Sequence, residues 1–439
     1  MSQFANLSKS AKIIVFGSWL GWALDGYDLV LMLFVISSVS QLFFPTSDQR
    51  LGLLATFATY AVTLIVRPLG GGLFGTFGDK VGRKKAMLIT ITGFSIATFA
   101  TGLLPTWQAV GIISPLLLIV LRILQGLFAG GEWGSDAVIS MESVPKSSRG
   151  IVSGFIQSGF PFGFLIASII FGAVSNLYHD KSFLDTGWRV MFFTGIAPSM
   201  LALVLRLKMN ESEVWKEKLE RQELEKAPLK KVVSGFNRKR FFLSLIITSG
   251  LMYSYYASIG FMPTFLAQYI HLEESETAMI MISATFLSMI GYIFSGWLSQ
   301  KIGRIRSIGI FAALTIIFAI PLLVGLYNAS TIVERAIYVS LVIMFATSGF
   351  GPIPAFLSER FPTEIRNTSS GFVFNAGLII GAWAPLVAVE SSFRSTQLQP
   401  ILFGINLIIG CILVMIGLKL NPETRDFDLC IPNSNIKKP

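Results

Sequence analysis

Runs of roughly twenty apolar residues recur along this chain from residue 13 to residue 418. At about 1.5 Å of rise per residue, a helix of that length matches the ~30 Å hydrocarbon core of a bilayer. Lipid offers the backbone no hydrogen-bond partner, so such a run satisfies its own N–H and C=O groups only as a helix. The sequence therefore predicts an all-α polytopic membrane protein rather than soluble domains with cores of their own. The composition agrees. Hydrophobic residues make up 53% of the 439 and charged residues 14%, against about 25% charged in an average soluble domain.

Length alone predicts twelve transmembrane helices, at 13–34, 51–74, 86–104, 112–141, 151–177, 190–207, 241–269, 278–298, 308–326, 336–357, 371–389 and 401–418. One long polar stretch, rich in Lys, Arg and Glu, parts them into two six-helix halves. The expected organisation is an N-terminal six-helix bundle over 1–207, a cytoplasmic linker over 208–240, a C-terminal six-helix bundle over 241–420 and a cytoplasmic tail over 421–439.

Basic residues set the orientation. Lys80, Arg83, Lys84 and Lys85 follow the second span, Lys146 and Arg149 the fourth, and Lys301, Arg304 and Arg306 the eighth. The intervening loops carry few positive charges. Both termini are expected in the cytoplasm of a multi-pass cell-membrane protein. The formal charge of +10 is then the inside-facing anchor of the spans, and no nucleic-acid partner is called for. The first run is longer than a signal-peptide core and contains Asp25 and Asp28. Cys411 and Cys430 are the only cysteines, so neither a disulfide framework nor a metal site is expected. No nucleophile–base pair stands out that would suggest an enzyme, and no cofactor is called for.

The halves repeat. Gly75-Thr-Phe-Gly-Asp79-Lys80-Val-Gly82-Arg83 follows the second span, and Gly296-Trp-Leu-Ser-Gln300-Lys301-Ile-Gly303-Arg304 follows the eighth. Glu142-Ser-Val-Pro145-Lys-Ser-Ser-Arg149 follows the fourth, and Glu359-Arg-Phe-Pro362-Thr-Glu-Ile-Arg366 follows the tenth. Repeated halves around a central site are the architecture of many secondary transporters. The Gly-x-x-x-Asp-Lys-x-Gly-Arg-Lys loop and its weaker copy resemble the signature of the major facilitator superfamily. Finer features are Arg122-Ile-Leu-Gln125-Gly126, Gly130-Gly131-Glu132-Trp133-Gly134, Gly187-Trp188-Arg189 and Asn210-Glu211-Ser212-Glu213-Val214-Trp215. These resemble the sialate:proton symporter family, which carries carboxylates such as sialic acid and lactate. Arg67-Pro68-Leu69-Gly70-Gly71 is shared with the metabolite:proton symporters. The resemblance implies proton-coupled uptake of a small organic anion, a monocarboxylate or an acidic sugar, by alternating access. Its partners would be the solute, protons and lipid, and a monomer is expected. The alternative is a neutral or zwitterionic solute such as a sugar, betaine or amino acid. A transporter-like sensor is a further alternative.

Charges inside spans are costly, at roughly 2.5–3.5 kcal/mol each on insertion scales, and so mark candidate sites. His179 and His271 fall in loops, which leaves carboxylates to carry protons. Asp25 and Asp28, three apart on one span, and Glu132 are the coupling candidates. Arg122, near the middle of its span, is the expected substrate anchor because a guanidinium holds a carboxylate through two parallel hydrogen bonds. Arg67 lies about 12 Å from the expected inner end of its span by helix rise. It is both a substrate candidate and a support for the inner gate. Tyr253, Tyr256 and Asn375 offer hydrogen bonds from the second half. Asp79, Arg83, Asp136, Glu142, Arg149, Glu359 and Arg366 are assigned to the cytoplasmic gate, with Asp79 as a latch.

Overall fold

The structure is a computed structural model that describes residues 7–81, 83–131, 133–179, 181–208, 231–362, 365–392, 398–427 and 429. Residues 209–230 of the expected linker lie outside them, as does Glu132. Twenty α-helices run through the described residues with no strand. They are α1 Lys9–Phe34, α2 Ile36–Phe43, α3 Gln49–Val81, α4 Arg83–Gly102, α5 Trp107–Val110, α6 Ile113–Ala129, α7 Trp133–Glu142, α8 Arg149–Gln157, α9 Gly159–Leu177 and α10 Trp188–Thr194. Then follow α11 Ile196–Lys208, α12 Gly235–Ala257, α13 Met262–Gln268, α14 Glu274–Ile302, α15 Arg304–Asn328, α16 Ile332–Ser348, α17 Ile353–Arg360, α18 Arg366–Gly381, α19 Ala384–Ser392 and α20 Gln399–Leu420.

Nine helical segments among the described residues are long and apolar enough to cross a bilayer, and α1 with α2, bent by 54°, makes a tenth. The expected fourth and sixth spans complete the count of twelve as α6 plus α7 and α10 plus α11. Each falls short as one helix because it breaks, at Gly130 and at Gly195. The spans that break are the informative ones. Serine, glycine and proline stand at the breaks between α8 and α9, α12 and α13, and α16 and α17. They free backbone groups in mid-span, tolerable only where protein or a polar cavity covers them.

Small residues bring helices to backbone contact. A Cβ on Gly126 would come within 2.2 Å of the Thr63 carbonyl of α3, and one on Gly163 within 2.0 Å of the Ala23 carbonyl of α1. The two halves meet where α9 and α8 lie along α14 and where α3 and α7 lie along α18. Helix starts facing away from the basic loops carry capping boxes, Glu273 with Glu276 and Thr331 with Glu334. At the basic end the turn from α14 to α15 passes through Gly303 at φ 108°, a conformation that disfavours any side chain.

Candidate functional site

Between the halves lies a cavity of about 30 Å³ open to the centre of a water molecule, room for about two waters. Trp22, Arg67, Gln157 and Phe160 line it from the first half, and Met252, Tyr255, Tyr256, Tyr292, Phe350, Phe374 and Leu378 from the second. Aromatic rings dominate the wall. Trp22 meets Phe160 at 4.8 Å and Phe374 at 5.7 Å, and Tyr255 meets Phe160 edge-on at 5.6 Å. Below them Trp133 of α7 stacks on Phe374 of α18 at 3.6 Å and 8°, joining the halves. Its indole N–H donates to Gln157 at 3.2 Å.

Among the described residues Arg67 is the only charged one lining this cavity. It is buried, and its guanidinium donates to Asp25 Oδ2 at 2.9 Å and to the Ala129 carbonyl at 3.1 Å. The second bond caps a carbonyl freed by the α6–α7 break. Asn375 caps the next one, donating to Gly130 at 3.1 Å and to Gly371 at 3.0 Å. Arg67 therefore stands on the wall of the central cavity, and α3 runs on past it to Val81.

Arg122 does not share this space. It is buried, donates to Thr101 Oγ1 of α4 at 2.5 Å and lies over Phe192 of α10 at 5.6 Å. It is not among the residues lining the cavity. Asp25 and Asp28, expected on one face, diverge: Asp25 turns to Arg67, and Asp28 accepts from Ser199 of α11 at 3.2 Å. Tyr256 lines the cavity, while Tyr253 donates to Asn406 at 2.7 Å within the second half. The sequence reading missed most of the wall, namely Trp22, Gln157, Phe160, Tyr292, Phe350 and Phe374. In so apolar a chain an aromatic residue carries no signal of its own.

The halves also touch on both sides of the cavity. At the basic end Arg366 of α18 pairs with Glu142 of α7 at 2.5 Å. The Gly150 N–H donates to Gln300 at 2.9 Å, and Ser153 donates to the Gly351 carbonyl at 2.7 Å. Glu359 is held mainly within its own half, with Arg149 of the first half close enough to act on its charge. It holds Arg304 through two bonds of 3.0 and 3.2 Å, both side chains fully buried. The tail closes over this layer. Glu423 accepts from the Arg304 and Ile305 N–H groups at 2.7 and 3.1 Å, and Thr424 donates to Glu359 at 2.9 Å. Arg149 and Arg366 donate to the Phe427 and Leu429 carbonyls at 3.1 and 3.2 Å. Leu429 is buried among Leu7, Ala11, Met141, Val144 and Ala355. The tail thus ties both halves together, which the sequence did not suggest. At the opposite end Gln268 bonds Gln49 and donates to Ser37 at 3.0 Å, and Arg50 faces Glu390 at 3.5 Å. The side chains of Asp79 and Arg83 lie outside the described residues.

Two helical bundles closing at both ends on one buried, charge-bearing cavity define a secondary transporter. The chain belongs to the Major Facilitator Superfamily, which residues 13–385 match. It is 30% identical over 428 residues to the inner membrane metabolite transport protein YhjE of Escherichia coli K12, covering 96% of each chain. It is also 30% identical over 390 residues to the proline/betaine transporter of the same strain, covering 85% of this chain and 77% of that one. Among solved structures it superposes on a partially occluded, inward-open form of the E. coli xylose transporter XylE with a TM-score of 0.74 at 19% identity, covering 96% of this chain and all of that one. The chain is a multi-pass membrane transporter, not an enzyme.

Proposed function

We propose that the chain is a symporter that takes up a small carboxylate-bearing solute together with a proton, with Arg67 as anchor and Asp25 as proton acceptor. The observation that carries this is the buried Arg67–Asp25 pair at 2.9 Å on the wall of the central cavity. While Asp25 is ionised it occupies the guanidinium. A proton on Asp25 releases it, and a substrate carboxylate takes the vacated place through charge-assisted bonds. Neither event is favourable alone, because an unpaired charge in this site is costly. Proton and solute therefore bind together. The gates give the two faces of alternating access, and the small cavity fits a contracted state that widens when one gate opens. Arg122 and Asp28, buried beside the cavity in the first half, hold α1, α4, α6, α10 and α11 in register around the pair.

The resemblance to sialate and metabolite symporters supports a plain organic anion. The aromatic wall supports a zwitterion, since ring faces attract an onium group. Proline and betaine, named for a relative, are solutes of that kind. Charge separates the two. A monoanion with one proton is electroneutral, whereas a zwitterion with one proton gains about 2.3 kcal/mol per 100 mV of inside-negative potential. The purified protein in liposomes is tested with labelled lactate, sialic acid, proline and glycine betaine under an imposed inside-alkaline gradient, and then under a potential alone. Acceleration by the pH gradient is expected for one class. Response to the potential assigns the zwitterion. Failure of the gradient to accelerate any of the four removes the proposal.

A further inference from the structure

A second cavity lies beside Asp25, towards the basic end. It is lined by Ser18, Gly21, Trp22 and Asp25 of α1, Trp133, Asp136 and Ala137 of α7, and Ile156 of α8. At about 10 Å³ on the same measure it holds about one water. Two carboxylates from different helices face this one small space. Trp22, only 8% exposed, lines both cavities, and its indole N–H has no acceptor among the described residues. A water in the second cavity would supply one. The walls have room for it because Gly21 and Ala137 carry little or no side chain, and the Ser18 hydroxyl beside them accepts from Ser140 at 3.0 Å.

The two cavities differ in what they admit. Trp22, with Trp133 stacked on Phe374, forms the floor of the central cavity. A solute passes this floor only if the halves part. A proton needs no such parting, since both Asp25 and Asp136 line the second cavity, which has room for a water. The elements packed against α7 place further charges nearer the basic end. These are Lys9 and Lys12 of α1, Arg149 of α8, Glu359 and Arg360 of α17 and Arg366 of α18, with Glu142 on α7 itself. Of these, Glu359 is held by Arg304 and Arg366 by Glu142.

We propose that Asp136 is the residue that draws the proton off Asp25, on a route separate from that of the solute. Asp25 gives its proton to the cavity water, which passes a proton to the Asp136 carboxylate. The Asp25 carboxylate so regenerated recaptures Arg67 and expels the substrate carboxylate. Asp136 then releases its proton to the basic end when the layer around Glu142 and Arg366 loosens. This rests on Asp25 being the acceptor, and it changes the expected role of Asp136 from gate lock to proton relay.

The test uses the full chain in liposomes with labelled glycine betaine and lactate as probes, and with a pH-sensitive dye trapped inside. Asp136→Asn is expected to lower gradient-driven uptake and dye response by about a hundredfold, the lower range of a positioned proton-transfer group. Solute-for-solute exchange, which needs no net proton movement, is expected to persist. Asp136→Glu restores driven uptake. If Asp136→Asn keeps driven uptake, the relay is refuted. If both variants lose exchange as well as driven uptake, Asp136 is structural and the relay is again refuted. Failure of the underlying reading is seen apart from these, as an unmodified protein whose uptake ignores the pH gradient or an Asp25→Asn variant that still couples.

Discussion

Gly154→Ala should bias the transporter against closing its basic end. Gly154 of α8 and Gly296 of α14 belong to different halves and meet backbone to backbone. A Cβ on Gly154 would lie 2.5 Å from the Tyr292 carbonyl oxygen and 3.0 Å from Gly296 Cα. Ordinary contacts between heavy atoms fall near 3.5–4.0 Å, so the helices must part by roughly 1 Å. No side-chain rotation relieves the clash, because both neighbours are backbone. Overpacking of this kind costs about 1–3 kcal/mol. The contact exists only when the halves are together here, so the cost falls on that state alone and shifts the equilibrium about 5- to 150-fold towards parting. Spin labels at Ser147 and Arg306, exposed positions of opposite halves at the basic end, read the change as a new population of longer distances. Uptake should fall in step, since a protein that cannot close one side cannot alternate. Gly17→Ala is the control, for nothing lies within 4 Å of its Cβ. An unchanged distance distribution in Gly154→Ala would show that this contact does not define the closed state.

Further substitutions separate the pair, the gate and the tail. Asp25→Asn leaves Arg67 buried without its partner carboxylate, and thermal unfolding in detergent should show a loss of about 3–5 kcal/mol; the double variant Asp25→Asn with Arg67→Gln should recover part of it, while neither shows pH-driven uptake. Glu142→Gln removes a half-exposed partner of Arg366 and should weaken basic-end closure by no more than about 1 kcal/mol, visible as a small shift in the same spin-label distances. Leu429→Ala empties a buried site shared by the two halves and should speed protease cleavage of the tail and raise the longer-distance population; a tail that stays protected would argue against the tie. Arg50→Gln, at a partly exposed pair with Glu390, should leave stability within about 1 kcal/mol.

The spans were legible from the sequence, but direction around a helix was not. Run length and basic loops mark where the apolar helices begin and end, and Arg122 falls near the middle of its run. Which neighbour a side chain faces depends on azimuth. In α6 the polar residues Ser114, Arg122 and Gln125 do share one buried face, but the pattern does not say which neighbouring helix that face meets. Arg122 turns to Thr101 and Phe192, while Arg67, one helix away, takes the cavity. The basic segment after Phe74, expected as a loop, continues the helix to Val81. The gate was easier to read. Glu142 and Arg366 stand in the two copies of one repeated segment, and a two-fold-related pair of loops must meet near the axis between the halves. Glu359, in the same repeat, pairs within its own half instead. Gln300 is the instructive departure. Where the first copy has Asp79, a neutral amide accepts from the Gly150 N–H of the other half and from Arg304.

That departure bears on how the two halves divide the work. The second half brings Tyr255, Tyr256, Tyr292, Phe350 and Phe374 to the cavity and, among the described residues, no charged side chain. The first half brings Arg67 with Asp25 behind it, and Asp25 also borders the second cavity with Asp136. A proton that moves between Asp25 and Asp136 never leaves the first half, so its transfer requires no contact across the cavity. In the proposed scheme the solute does cross that interface, since Arg67 would hold it on one side and the rings on the other. Only the solute can therefore report to one half the protonation state of the other. If the rings close on the solute only when Arg67 has been released to hold it, the halves come together with both proton and solute or with neither, and coupling follows without a charge in the second half.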